Sequence, residues 1–164
     1  MILELESVFQ VDGARVPFDY AFSMADVAIG GEQPFVSPVH VVGEVRNRAG
    51  IVTLSAAASY TYDAPCDRCA ERTVRDVSVP VEHALVKALE NGPDDEYIEV
   101  PDLKLDLDAL VREDILLALP TKYLCQEDCK GLCPLCGQNL NKGQCSCSAP
   151  KDPRWDVLSQ LLDQ

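Results

Sequence analysis

Eight cysteines stand in four close pairs: Cys66-x-x-Cys69, Cys125-x-x-x-Cys129, Cys133-x-x-Cys136 and Cys145-x-Cys147. Thiolates are soft ligands, and two sulfurs spaced this closely can reach one tetrahedral ion, so four pairs suit two Cys₄ zinc sites. Cys133-Pro134-Leu135-Cys136-Gly137 is the most specific signal. In such a knuckle, backbone N–H groups after the first cysteine donate to its sulfur, and the glycine permits the positive φ of the turn.

The loop between Cys136 and Cys145 is short and closes at small entropic cost, so Cys133 and Cys136 are expected to share an ion with Cys145 and Cys147. Cys66 and Cys69 then join Cys125 and Cys129, pinning the later segment to the earlier one. Crossed pairing and iron ligation stay open, because tetrahedral S₄ suits either metal. A disulfide framework is the third alternative, opposed by a reading of the chain as cytoplasmic. The fourth is a thiol oxidoreductase using Cys66 and Cys69, with Arg68 depressing a thiol pKa. That motif lies between two strands rather than at a helix start, and three further pairs are on hand as co-ligands.

Other chemistry is sparse. His40 and His83 stand singly within strand patterns and receive no role. No glycine-rich phosphate loop, Ser/His/Asp set or distinct carboxylate pair emerges, and a closed Cys₄ shell leaves no position for a water or substrate. The expectation is a protein that is not an enzyme. The 27 acidic residues against 14 Lys and Arg give a formal charge of −13, which eight thiolates and two Zn²⁺ would take to about −17. Such a surface repels phosphate backbones and attracts a basic protein. The start Met-Ile-Leu-Glu-Leu-Glu has no positive segment before an apolar run, and no stretch is long enough to span a bilayer, so a soluble intracellular protein is expected.

The elements that must position the cysteines follow from periodicity. Leu3 to Phe22, with Asp12-Gly13 as turn, reads as an opening hairpin, and Gly30-Gly31 and Pro34 mark a loop. Val39 to Val45 alternates, and Ile51 to Tyr62 places Val52, Leu54, Ala56, Ala58, Tyr60 and Tyr62 on one face. Val77, Val79, Val81 and Leu85 form a third strand, with Pro80 implying an edge or bulge. Glu90 to Asp102 is an acidic loop with a short strand at Tyr97 to Val100. Leu107, Leu110, Val111, Ile115 and Leu119 recur at helical spacing behind an Asp106 N-cap, and Pro120 prevents continuation. Asp152-Pro153 starts a last short helix with Leu158, Leu161 and Leu162 as its stripe. The fold expected is α+β: an antiparallel β-sheet or partly closed barrel with one principal helix and a C-terminal Cys-rich zinc-binding lobe. The sheet domain spans 1–120, and the lobe with a helix packed on it spans 121–164. Arg46, Arg48, Arg68, Arg72 and Arg75 lie close in sequence, but Glu44, Asp63, Asp67, Glu71 and Asp76 interleave with them, so a balanced charged face is favoured over a basic one.

Pro38-Val39-x-Val41-x-Gly43-x-Val45, Cys66-Asp67-Arg68-Cys69, Ile115-Leu116-Leu117-Ala118-Leu119-Pro120 and Cys129-Lys130-Gly131-Leu132-Cys133-Pro134-x-Cys136-Gly137-x-Asn139-Leu140-Asn141 occur in that order. With Asp152-Pro153-Arg154-x-x-x-Leu158, they make the chain, over roughly residues 35 to 162, resemble the YceD family of large ribosomal RNA subunit accumulation proteins. The resemblance implies ribosome biogenesis without catalysis, with large-subunit rRNA, a pre-ribosome or a basic ribosomal protein as partner. Relatives that lack part of the cysteine set imply that the zinc is structural.

Overall fold

The computed structural model describes residues 1–88 and 96–147. Its central sheet has strand order β2-β3-β4-β5-β6, formed by Arg15–Phe22, Val39–Arg48, Ile51–Pro65, Arg72–Val86 and Tyr97–Glu99. β3 and β4 are joined by the two-residue turn Ala49-Gly50, where both residues have positive φ, the geometry that suits the twist of a hairpin. The long β4–β5 hairpin follows, in register from Val52↔Leu85 to Pro65↔Arg72. It carries Cys66 at its far end.

Alternation decides which face is covered. Val39, Val41, Val45, Val52, Leu54, Ala58, Tyr60, Tyr62, Val79, Val81 and Leu85 are buried in one core. Helix α2, Leu107–Ala118, buries Leu107, Leu110, Val111 and Ile115 in the same core. The Asp106 side chain accepts from the N–H groups of Asp108 and Ala109, as an N-cap should. The helix ends where Leu119, preceding Pro120, turns extended at ψ 135°. Opposite Ala56, β3 has no room for a side chain, since a Cβ on Gly43 would lie 2.4 Å from the Ala56 Cβ. Gly43→Ala should therefore destabilise the fold by about 1–3 kcal/mol in urea unfolding, the cost of overpacking a dense core.

The fold class is thus α+β, mostly strand with one main helix, and the cysteine clusters lie toward its C-terminal part. The sheet is open and mixed, because β6 pairs in parallel with Ala84–Val86 of β5. Among the described strands nothing pairs with β5 on that side at Pro80, so the proline sits on a free edge.

The opening hairpin is not formed. Ile2–Glu4 is β1 and pairs with β7, Lys104–Asp106, in a second, two-stranded sheet, while Glu6–Gln10 is the short helix α1. Leu5, Val8 and Phe9 stand at i, i+3 and i+4, a helical spacing that partial alternation obscures. Asn47, 4% exposed, holds this corner. Its Nδ2 donates to the Val8 carbonyl at 2.7 Å and its Oδ1 accepts from Gly50 N–H at 3.0 Å.

The arginines do not form one patch. Arg46 pairs across from Thr53 and Arg72 from Pro65 on the same strand, a separation of about 40 Å at strand rise. Arg72 is engaged by Asp63 at 2.9 Å and Glu32 at 3.4 Å. Among the described residues no helix is long and apolar enough to cross a membrane. Most of the acidic stretch from Glu90 to Glu96, and the helix expected from Asp152, lie outside the described residues.

Candidate metal centre

The end of the β4–β5 hairpin and the segment after α2 are brought together by a dense set of hydrogen bonds. Cys66 N–H donates to the Glu71 carbonyl at 2.9 Å and Ala70 N–H to the Cys66 carbonyl at 2.8 Å, closing the Cys66–Cys69 turn. Tyr123 docks on it. Its N–H reaches Asp67 Oδ2 at 2.7 Å, Asp67 N–H returns to the Tyr123 carbonyl at 2.8 Å, and the phenol donates to the Thr73 carbonyl at 2.9 Å. The Tyr123 ring packs edge-on against Tyr62 at 5.0 Å. The Arg75 guanidinium donates to the carbonyls of Leu124 and Cys125 at 2.6 and 2.9 Å, and Arg68 Nη1 to that of Cys129 at 2.8 Å.

The result is an inner set of four sulfurs: Cys66, Cys69, Cys125 and Cys129. Cys66 and Cys129 Sγ are 3.7 Å apart, and Cys69 and Cys125 Sγ are 3.6 Å apart. Four sulfurs about 2.3 Å from a tetrahedral zinc ion would be about 3.8 Å from each other. The spacing fits that ion and is too long for a disulfide.

The outer set is Cys133, Cys136, Cys145 and Cys147, and in each set the ligand atoms all lie within 4.8 Å of one another. Cys133 N–H donates to the Gln138 carbonyl at 2.8 Å and Gly137 N–H to the Cys133 carbonyl at 2.9 Å, shaping the knuckle. Gly131 begins this limb at φ 72°, and a Cβ there would meet the Arg68 carbonyl oxygen at 3.0 Å. The sets differ in exposure: Cys66, Cys69 and Cys129 are buried, whereas Cys136 and Cys147 are exposed.

The electrostatics suit a cation. The N–H groups of Cys136 and Leu135 bring the Cys133 thiol down to about 6. Burial opposes ionisation of Cys66, yet N–H groups of Cys125, Arg68 and Cys69 bring it to about 6 as well. The Asn141 amide, foremost, lowers Cys129. Within the same sets, burial first and neighbouring sulfurs second push Cys125 up to about 12, and hydrogen bonding to Cys136 first and burial second push Cys147 to about 12. Within each set, N–H donors favour the thiolate while neighbouring sulfurs oppose one another's charge, and a divalent ion would remove that repulsion. Such clusters could hold metal ions.

The structure thus gathers all eight cysteines in the two groups that sequence proximity predicts. It gives Arg68 a different part from thiol activation: its guanidinium binds the Cys129 carbonyl. His40 and His83 face Asp19 and Asp114, each at 2.8 Å, away from both sulfur sets. Sequence reasoning gave no part in the site to Tyr123, to Arg75, named only for a charged face, or to Asn141. The first two carry no local signature, and Asn141 was legible only as part of the motif after Cys136.

Comparison with known proteins bears on this arrangement. Residues 54–162 match the family described as large ribosomal RNA subunit accumulation protein YceD. A chloroplastic protein of Arabidopsis thaliana named large ribosomal RNA subunit accumulation protein YCED homolog 1 is 27% identical over 164 aligned residues, covering 81% of this chain and 51% of its own length. Uncharacterized proteins of Mycobacterium tuberculosis and Mycobacterium bovis are each 36% identical over 73 residues, 44% of this chain and 35% of theirs. The chain spans roughly a third to a half of the length of these curated relatives. No solved structure matches it. The family match takes in most of β4, the whole of β5 and α2 and all eight cysteines, and by it the chain belongs to the YceD family.

Proposed function

We propose that this protein is a non-enzymatic, zinc-held binding protein that acts in ribosome biogenesis, in a reducing, cytoplasm-like compartment. Family membership carries the assignment to accumulation of large-subunit ribosomal RNA. The sulfur geometry supports two structural Zn²⁺ ions, one on Cys66, Cys69, Cys125 and Cys129 and one on Cys133, Cys136, Cys145 and Cys147. In this reading residues 1–120 are the sheet domain and 121–164 a lobe that the metal fastens to it. Burial of Cys66 and Cys69, at 2% and 5% exposed, favours ligation over exchange with a disulfide substrate.

The partner is a basic protein of the large subunit rather than bare RNA. The charge of −13 supports this, as do Asp102 and Glu113, both exposed. Among the described residues, arginines paired or spread along the hairpin leave no continuous basic track for phosphates. Purified large-subunit proteins and free large-subunit RNA, tested separately for binding in moderate salt, decide between them. Binding to a basic protein is expected, and Asp102→Lys with Glu113→Lys should slow that association about tenfold at low salt while changing dissociation little. Selective binding of free RNA without any protein would overturn the choice of partner.

A further inference from the structure

We propose that Asn141 is a positioning residue that couples the two cysteine sets, so that a divalent ion on the outer set tightens the inner one. This rests on the metal-binding reading above. Asn141 belongs to the loop between Cys136 and Cys145, yet its side chain does not turn to the outer sulfurs. Its Nδ2 donates to Cys129 Sγ of the inner set at 3.2 Å. Its Oδ1 accepts from Lys130 N–H at 2.8 Å and from Gln126 Nε2 at 3.3 Å. One amide therefore supports an inner ligand and both sides of the turn that presents it.

Asn141 is placed by its own loop and by the limb at residues 131 and 132. Asn139 Oδ1 accepts from its N–H at 2.9 Å, Leu140 N–H donates to the Gly131 carbonyl at 2.9 Å, and Leu132 bridges Asn139. No residue from 134 to 147 is buried, so apolar packing does little to order this loop. The ends of the loop are Cys136 and Cys145. An ion on the outer set fixes both ends, fixes Asn141, and so presents a ready-made N–H donor to the Cys129 thiolate. Arg68, by contrast, reaches the Cys129 carbonyl from the hairpin and needs no outer ion. Outer-shell donors of this kind typically change metal affinity about 10–100-fold. Linkage makes the effect reciprocal: the filled inner set tightens the outer one by the same factor.

The test is zinc competition against a chelator of known affinity on the full chain. Three proteins are compared: the native chain, Cys136→Ser with Cys147→Ser, which leaves the inner set, and Cys66→Ser with Cys69→Ser, which leaves the outer one. The cumulative constant for two ions should exceed the product of the single-set constants about 10–100-fold. With Asn141→Ala in all three, the ratio should fall to about one, the loss appearing in the two-ion protein and hardly at all where the outer set is disabled. Lys142→Ala removes the exposed ion pair to Glu71 from the same loop without touching sulfur and should leave the ratio unchanged. A ratio near one in the native chain, a ratio that survives Asn141→Ala, or an equal loss with Lys142→Ala would each overturn the proposal. A native chain that takes up fewer than two zinc ions would overturn the metal reading itself.

Discussion

Chelation is expected to unfasten residues 123–147 from the hairpin end while the five-stranded sheet stays folded. The two regions are held by different forces. Among the described residues the sheet and α2 share a core of 24 buried side chains, whereas the second cluster holds Cys66, Cys69 and Cys129 with Leu124 and Cys125 against it. Without an ion, buried sulfurs 3.6–3.7 Å apart offer little cohesion, and the bonds from Arg68, Arg75 and Asp67, with the Tyr123 ring against Tyr62 and its hydroxyl on the Thr73 carbonyl, must offset the entropy of ordering the segment. A structural zinc ion supplies about 10–16 kcal/mol of apparent binding energy near neutral pH. Amide exchange should show protection falling by orders of magnitude at Cys129, Leu132, Cys133, Gly137 and Leu140, with β3 and β4 unchanged. Undiminished protection of those amides in metal-free protein would contradict the account.

Cys69→Ser and Cys133→Ser should differ in reach. Cys69 stands at the junction of hairpin and lobe, and its loss opens the inner set, with which the docking of Tyr123, Leu124 and Cys125 must also loosen. Protection should be lost at the junction amides of Asp67, Cys129 and Leu132. At roughly 2–4 °C for each kcal/mol lost, a deficit of a few kcal/mol lowers the melting temperature by about 5–10 °C. Cys133 belongs to the outer set, so its replacement should free mainly residues 134–147 and barely move the melting of the sheet. The inner set would then bind more weakly but stay filled, since a 10–100-fold loss is small against a structural site. Identical patterns of lost protection in the two variants would show that the eight sulfurs act as one cluster.

Much of this arrangement is legible in the chain because several local signals agree. Asp106, the spacing of Leu107, Leu110, Val111 and Ile115, and Pro120 all specify the same helix. Six alternating residues from Val52 to Tyr62 specify the long strand, and the short loop after Cys136 specifies the outer set. What escapes has a common physical cause, which is pairing between segments distant in sequence. Ile2–Glu4 alternates well enough to start a hairpin, but its partner is β7, about a hundred residues on. The parallel addition of β6 to β5 is equally non-local. The five arginines are neighbours along the chain, yet Arg46 and Arg48 lie at one end of the extended sheet and Arg72 and Arg75 at the other. Asn141 looks like loop polarity until the fold brings Cys129 to it.

Metal content is the most direct test of the central claim that two Cys₄ sites, each holding an ion, bind the lobe to the sheet. Elemental analysis of protein purified without added metal should give two zinc ions per chain, negligible iron, and no thiol that reacts before the metal is removed. A chain that carries no metal, titrates as eight free thiols, and still protects the amides of residues 125–147 from exchange would contradict it.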